Sequence, residues 1–171
     1  GAGASLGVPP DVFNAEGQMW GLAAVNPLGL SEMAYRPLID TLRYAFRHAG
    51  ALRIDHAIGL MRCFWMPDSG LPGAYVRYPM QALMAVIRTE AARAGRIVIG
   101  EDLGVVPDGL RDALSESGLY GVAVMQFERV HERRFREPAS YPPRTFASIG
   151  THDTATLAGY WQGVDIDQRV A

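Results

Sequence analysis

The chain predicts an α/β fold, a parallel sheet covered by helices, and three observations carry that expectation. Short apolar runs, ALRID, RIVIG, GVAVMQFE and TFASIG, recur along it, and RIVIG is rich in β-branched residues. Between several of them lie stretches whose apolar residues recur at helical spacing, and alternation of this kind calls for parallel strands with helices across them. Three runs lead into an acid: Asp55 closes ALRID, Glu101 closes RIVIGE and Asp153 closes TFASIGTHD. In parallel α/β folds the carboxyl ends of the strands carry the chemistry.

Taken in order, GAGASLG reads as a loop, and Trp20, with glycine close by on each side, reads as a loop residue too. Pro37 to Ala49 predicts a helix with Leu38, Leu42, Ala45, Phe46 and Ala49 on one face and Gly50 ending it. ALRID follows as a strand, then a long Pro/Gly-containing connection from Gly59 to about Tyr78. A second helix spans Pro79 to Ala94, with Leu83, Val86, Ile87 and Ala91 in register and Gly95 as its stop. RIVIG is too short for a helix and reads as a strand. A short helix covers about Asp108 to Ser117, ahead of Gly118. The strand GVAVMQFE (121 to 128), an arginine-rich connection from Arg129 to Arg144, and the strand TFASIG complete the pattern. Four clear strands in one domain, 1–171, leave two architectures open: part of a (β/α)8 barrel, or a smaller open sheet.

Composition narrows the function. At 171 residues, 49% apolar and 20% charged, the chain can bury a real core. A net charge of −2 argues against a nucleic-acid or membrane-surface partner held by bulk electrostatics. The lone Cys63 has no internal disulfide partner, so a cytoplasmic location is expected and the thiol is read as packing. All 16 basic residues are arginine. Without lysine there is neither a Schiff-base residue for pyridoxal phosphate nor a Walker-type phosphate loop.

The candidate site is built on the three acids. Arg53 and Asp55 are two apart in a strand and share a face, and a neighbouring guanidinium favours an ionised carboxylate, as a nucleophile requires. A plain salt bridge is the competing reading. Glu101 suits a general acid if burial beside another carboxylate raises its pKa, whereas Asp102 should point the other way and brace the loop. His152-Asp153 repeats the pairing of Asp55-His56 at another strand end. Trp20 suits stacking on a sugar face and Gln18 suits hydroxyl hydrogen bonds, while Trp65 reads as core. The run from Arg129 to Arg136 reads as a solvated face or a helix.

In order, GVPPDVFNAEGQMWG, ALRIDHAIGLMRCFWMPDSG, GAYVRYP, VIGEDLG and GTHDTATLAGYW resemble glycoside hydrolase family 77, the 4-alpha-glucanotransferases or amylomaltases. The resemblance implies a (β/α)8 barrel of the α-amylase type, retention of configuration and no cofactor or metal. It implies that the chain is a piece of a longer enzyme, roughly its fourth to seventh barrel strands, and a piece with open edges is expected to be inactive alone. By the same resemblance Asp55 is the nucleophile, Glu101 the acid/base and Asp153 the acid that helps distort and stabilise the sugar. Arg53 pairs with the nucleophile, and His56 and His152 bind hydroxyls. Asp11, Gln18 and Trp20 line the acceptor side. The implied partners are an α-1,4-glucan donor and a glucose or maltooligosaccharide acceptor. Retention by double displacement asks for carboxyl groups ~5–5.5 Å apart.

Two rivals stand beside this reading. A metal-dependent barrel hydrolase would use Asp55, His56, Glu101, His152 and Asp153 as ligands, although no HxH or HExxH pair is present. An inert or merely sugar-binding fragment would bind maltodextrin and leave its chain lengths unchanged.

Overall fold

The computed structural model describes residues 3–10, 15–131, 134–164 and 166. Two strands come first, β1 (Ala4–Val8) and β2 (Gln18–Ala23), then α1 (Pro27–Glu32) and α2 (Arg36–His48). β3 (Ala51–Ile54) leads through a 3-10 turn (Ala57–Leu60) into β4 (Arg62–Pro67) and β5 (Ala74–Arg77). α3 (Met80–Ala94), β6 (Ile97–Gly100), α4 (Leu110–Glu116) and β7 (Gly121–Val124) follow. β8 (Arg129–His131), β9 (Arg134–Phe135), β10 (Thr145–Ser148) and α5 (Leu157–Trp161) complete the described chain.

The fold is α/β in two layers of different character. In the first, β3 pairs with β6 and β7 with β10, both in parallel. An isolated parallel bridge, Ile99 to Tyr120, joins the two pairs at the edge of β7. α2, α3 and α4 supply the apolar face that packs behind these strands. Leu42 and Phe46 come from α2, Met84, Ile87 and Ala91 from α3, and Leu110 and Leu114 from α4. They close on Val98, Ala57 and Leu119 as one buried cluster. Each fully buried Leu or Ile there is worth ~1.5–3 kcal/mol over its exposed state. The helix periods predicted for α2 and α3 were therefore correct, and Gly95 caps α3 as expected.

Across the outer side of the helices, Glu90 is buried and accepts two bonds from Arg43 (2.6 and 3.0 Å) and one from Arg93 (2.8 Å). The hydrogen bond from Arg43 holds its carboxyl below the usual carboxylate range, and the pair ties α2 to α3.

The second layer is an antiparallel sheet in the order β2-β1-β4-β5. It corrects the sequence reading at several points. GAGASLG contains a strand, not only a loop, and Gly7 is there because strands crowd it. A Cβ at Gly7 would lie 2.2 Å from the Gln18 carbonyl oxygen and 2.7 Å from Met66 Sδ. Trp20 is on β2, not in a loop. The presumed connection from Gly59 to Tyr78 holds β4 and β5, whose mixed aromatic, polar and proline content hid the alternation. The strand expected over 121–128 ends at Val124, because the chain turns there, with Phe127 N–H and Glu128 N–H bonding the Val124 carbonyl. In the arginine-rich connection β8 and β9 pair antiparallel and exposed, in place of a helix, and a 3-10 turn follows at Pro138–Ser140. Among the described residues, no helix is long and apolar enough to cross a membrane.

Candidate active site

β3 ends at Ile54, and the next two residues turn the chain into the site. Asp55 points outward, 72% exposed, with Arg53 Nη1 2.5 Å from its Oδ1. The expected pairing on one face is present. His56 adopts the left-handed conformation (φ 49°, ψ 58°), uncommon for a residue with a Cβ. That turn aims its backbone N–H at Glu101 Oε2, 2.8 Å away. Its ring is half-buried and meets Trp20 edge to face, centroids 5.0 Å apart. Burial pushes the imidazole pKa below 6.5 and outweighs the nearby Glu101 and Asp55, which raise it. A neutral ring results, able to donate to one hydroxyl or accept from another.

Glu101 follows β6 directly. Its backbone is zipped to the β3 end, with Glu101 N–H bonding the Ile54 carbonyl (2.9 Å) and Ala57 N–H the Glu101 carbonyl (2.8 Å). The carboxylate takes one bond from His56 N–H and another from Leu103 N–H at 2.7 Å. Backbone N–H donors thus hold both of its oxygens. Asp102 points the other way, as predicted, and is buried. It accepts from Val122 N–H (2.8 Å) and from Arg111 Nε (2.9 Å), bracing the loop against β7 and α4.

Asp153 lies five residues beyond the end of β10, on a loop, and is 79% exposed. His152 Nε2 sits 3.1 Å from its Oδ2. Thr151 and Thr154 tie the loop to itself, Thr151 N–H donating to Thr154 Oγ1 (2.8 Å) and Asp153 N–H to Thr151 Oγ1 (3.2 Å). Its tertiary anchor is the buried Gln126, whose Nε2 donates to the Ala155 carbonyl at 2.9 Å.

These ends converge on one open cleft of about 940 Å³. Asp55, Glu101 and Asp153 line it together with Arg53, His56, Gln18 and Trp20. His152 stands beside Asp153 without lining the cleft, and Asp11 lies outside the described residues. Trp20 Nε1 donates to Gln18 Oε1 at 3.3 Å, which couples the two acceptor-side candidates. Trp65, read as core, is half-buried and donates to Tyr78 Oη (3.2 Å), while Tyr78 donates to the Val25 carbonyl (2.6 Å). Trp161 is 89% exposed. Cys63 packs under Gly59, and burial pushes its thiol up to about 11, so it is inert at neutral pH. Among the described residues, no three His, Cys, Asp or Glu side chains group as metal ligands.

Sequence reasoning missed Gln126 and Phe127, the latter a cleft-lining aromatic. A signal existed for Gln126, since it is the one polar residue in the run GVAVMQF.

The chain is similar to 4-alpha-glucanotransferases of known sequence. It is 39% identical over 166 residues to that of Haemophilus influenzae and 42% over 176 residues to that of Mycobacterium tuberculosis. The matches take in 96% and 98% of this chain and 24% of each relative, so the chain spans about a quarter of their length. Among solved structures, amylomaltase from Corynebacterium glutamicum superposes with a TM-score of 0.87 at 37% identity, over 97% of this chain and 24% of that one. Amylomaltase from Streptococcus agalactiae in complex with acarbose gives 0.81 at 25% identity, over 98% of this chain and 34% of that one. Residues 2–171 match the family model described as 4-alpha-glucanotransferase, and the chain belongs to glycoside hydrolase family 77.

Proposed function

We propose that the enzyme carrying this segment is a 4-alpha-glucanotransferase, which moves a segment of an α-1,4-glucan to the 4-hydroxyl of glucose or a maltooligosaccharide. The observation that carries the reading is the convergence of Asp55, Glu101 and Asp153 on one cleft from three strand ends. In this reading Asp55 attacks the anomeric carbon while Glu101 protonates the departing glycosidic oxygen. The acceptor hydroxyl then displaces Asp55, with Glu101 taking its proton, and two inversions give retention. Asp153 stabilises the distorted sugar, and His56 and His152 bind hydroxyls around it. Trp20 and Gln18 favour a sugar acceptor over water by offering a ring face and an amide, and Asp11 belongs to the same acceptor side.

The parallel pairs β3–β6 and β7–β10, bridged through Ile99 and Tyr120, support reading the segment as consecutive strands of a (β/α)8 barrel, one partial catalytic domain over 1–171. A cytoplasmic location belongs to the same proposal, on the ground of the single buried thiol.

The test is Asp55→Asn in the whole enzyme, with glucose release from maltotriose as readout. Release is expected to vanish, and near-normal activity would remove Asp55 from its role.

A further inference from the structure

We infer that Arg111 and Asp102 are positioning residues for Glu101, acting through a single peptide plane, an inference that rests on the acid/base role proposed for Glu101. The plane is the one between Asp102 and Leu103. Its N–H donates to Glu101 Oε1 at 2.7 Å, and its carbonyl oxygen accepts from Arg111 Nη2 at 3.1 Å. In a trans peptide these two groups point in opposite directions, so fixing the oxygen fixes the N–H. Arg111 reaches this position because its Nε is held by Asp102 Oδ2 (2.9 Å), and Asp102 is itself anchored by Val122 N–H on Oδ1 (2.8 Å). Guanidinium and carboxylate thus form a clasp around the peptide that presents a donor to the acid/base. The charge of Arg111 on the carbonyl also strengthens the N–H as a donor.

Neither residue lines the 940 Å³ cleft. Both line a separate cavity of about 540 Å³, together with Arg136, Tyr141 and Arg144. Their influence on the reaction therefore passes through the peptide and not through the sugar. Asp102 is buried whereas the Arg111 side chain is 65% exposed, so removing the arginine perturbs the donor without emptying the core.

The experiment uses the whole enzyme with Arg111→Gln, Asp102→Asn and the reference Glu101→Gln. Asp102→Asn sets an amide N–H against either Arg111 Nε or Val122 N–H, donor against donor, and so loosens the clasp from its other side. Maltotriose disproportionation is followed for kcat and KM, beside the melting temperature. Arg111→Gln is expected to lower kcat about ten- to a hundredfold with KM changed less than about twofold, as for a misplaced acid/base. Asp102→Asn should change the same readouts in the same direction. An unchanged kcat, or a loss that follows the melting temperature with KM rising in step, would overturn the inference. If Glu101→Gln stays active, the acid/base assignment fails and the positioning role falls with it. If Glu101→Gln is inactive while Arg111→Gln is normal, only the positioning role fails.

Discussion

The two layers differ in how they hold what they carry. The parallel layer bears Asp55, Glu101 and, by way of the loop after β10, Asp153, and it rests on a cluster with Leu42, Ile87, Leu110 and Leu114 fully buried. The antiparallel sheet bears Gln18 and Trp20 and is thinly packed. On β2 no residue is buried, and Met19 and Leu22 are 53% and 57% exposed. Rigid support stands behind the groups proposed to meet the reacting atoms. The groups proposed to recognise a sugar ring stand on a surface that can adjust. His56 is the seam between them, its N–H on Glu101 and its ring on Trp20.

The sharpest test of this division compares kinetic signatures in the whole enzyme. Glu101→Gln should cut kcat about 10²–10⁴-fold. Gln18→Ala should raise KM several-fold with kcat nearly kept, as expected when uniform binding is lost. A kcat collapse in the Gln18 variant would break the division.

Stability should divide the same way. Leu114→Ala, at a site 1% exposed, is expected to cost about 2–5 kcal/mol in denaturant unfolding. Leu22→Ala should stay within about 0.5 kcal/mol. A comparable loss at Leu22 would mean that β2 is covered in the whole protein.

Gly100→Ala probes the join between core and site. A Cβ there would sit 2.8 Å from Leu114 Cδ2 and 3.2 Å from the Ala57 Cβ, directly before Glu101. Overpacking of this kind costs about 1–3 kcal/mol, and the strand end should shift enough to lower kcat as well. Full activity with a reduced melting temperature would show that the β6 end tolerates displacement.

The smallest effect belongs to His56. Its folded pKa lies below 6.5, so as pH falls the unfolded chain takes up the proton first. The contribution of the neutral ring to stability is complete above 6.5 and is lost as pH drops toward the folded pKa. Trp20→Ala should open the ring to water and bring its titration, followed by NMR, back toward 6.5. An unmoved titration would mean that Trp20 does not bury it.

Much of the parallel layer was legible because its signals are local. The apolar faces of α2 and α3 and the β-branched runs announce themselves within a dozen residues. The antiparallel sheet was not, since β1 contains glycine for close strand approach, β4 is partly buried on both faces and β5 is almost wholly exposed. The acids were recognisable because each follows an apolar run, and Asp102 because alternation turns it away from Glu101. Gln126 was passed over, its role depending on a loop 29 positions later in the chain.

The sequence by itself determined the α/β class, the helices behind the strands, the candidate acids and, through its ordered motifs, the family. These follow from side-chain period and residue order, which need no partner. Tertiary structure alone decided that the His56 N–H reaches Glu101, that Gln126 anchors the loop of Asp153, and that Trp20 lies on a strand against His56. Each of these joins residues far apart in the chain, and such contacts are written in no local pattern.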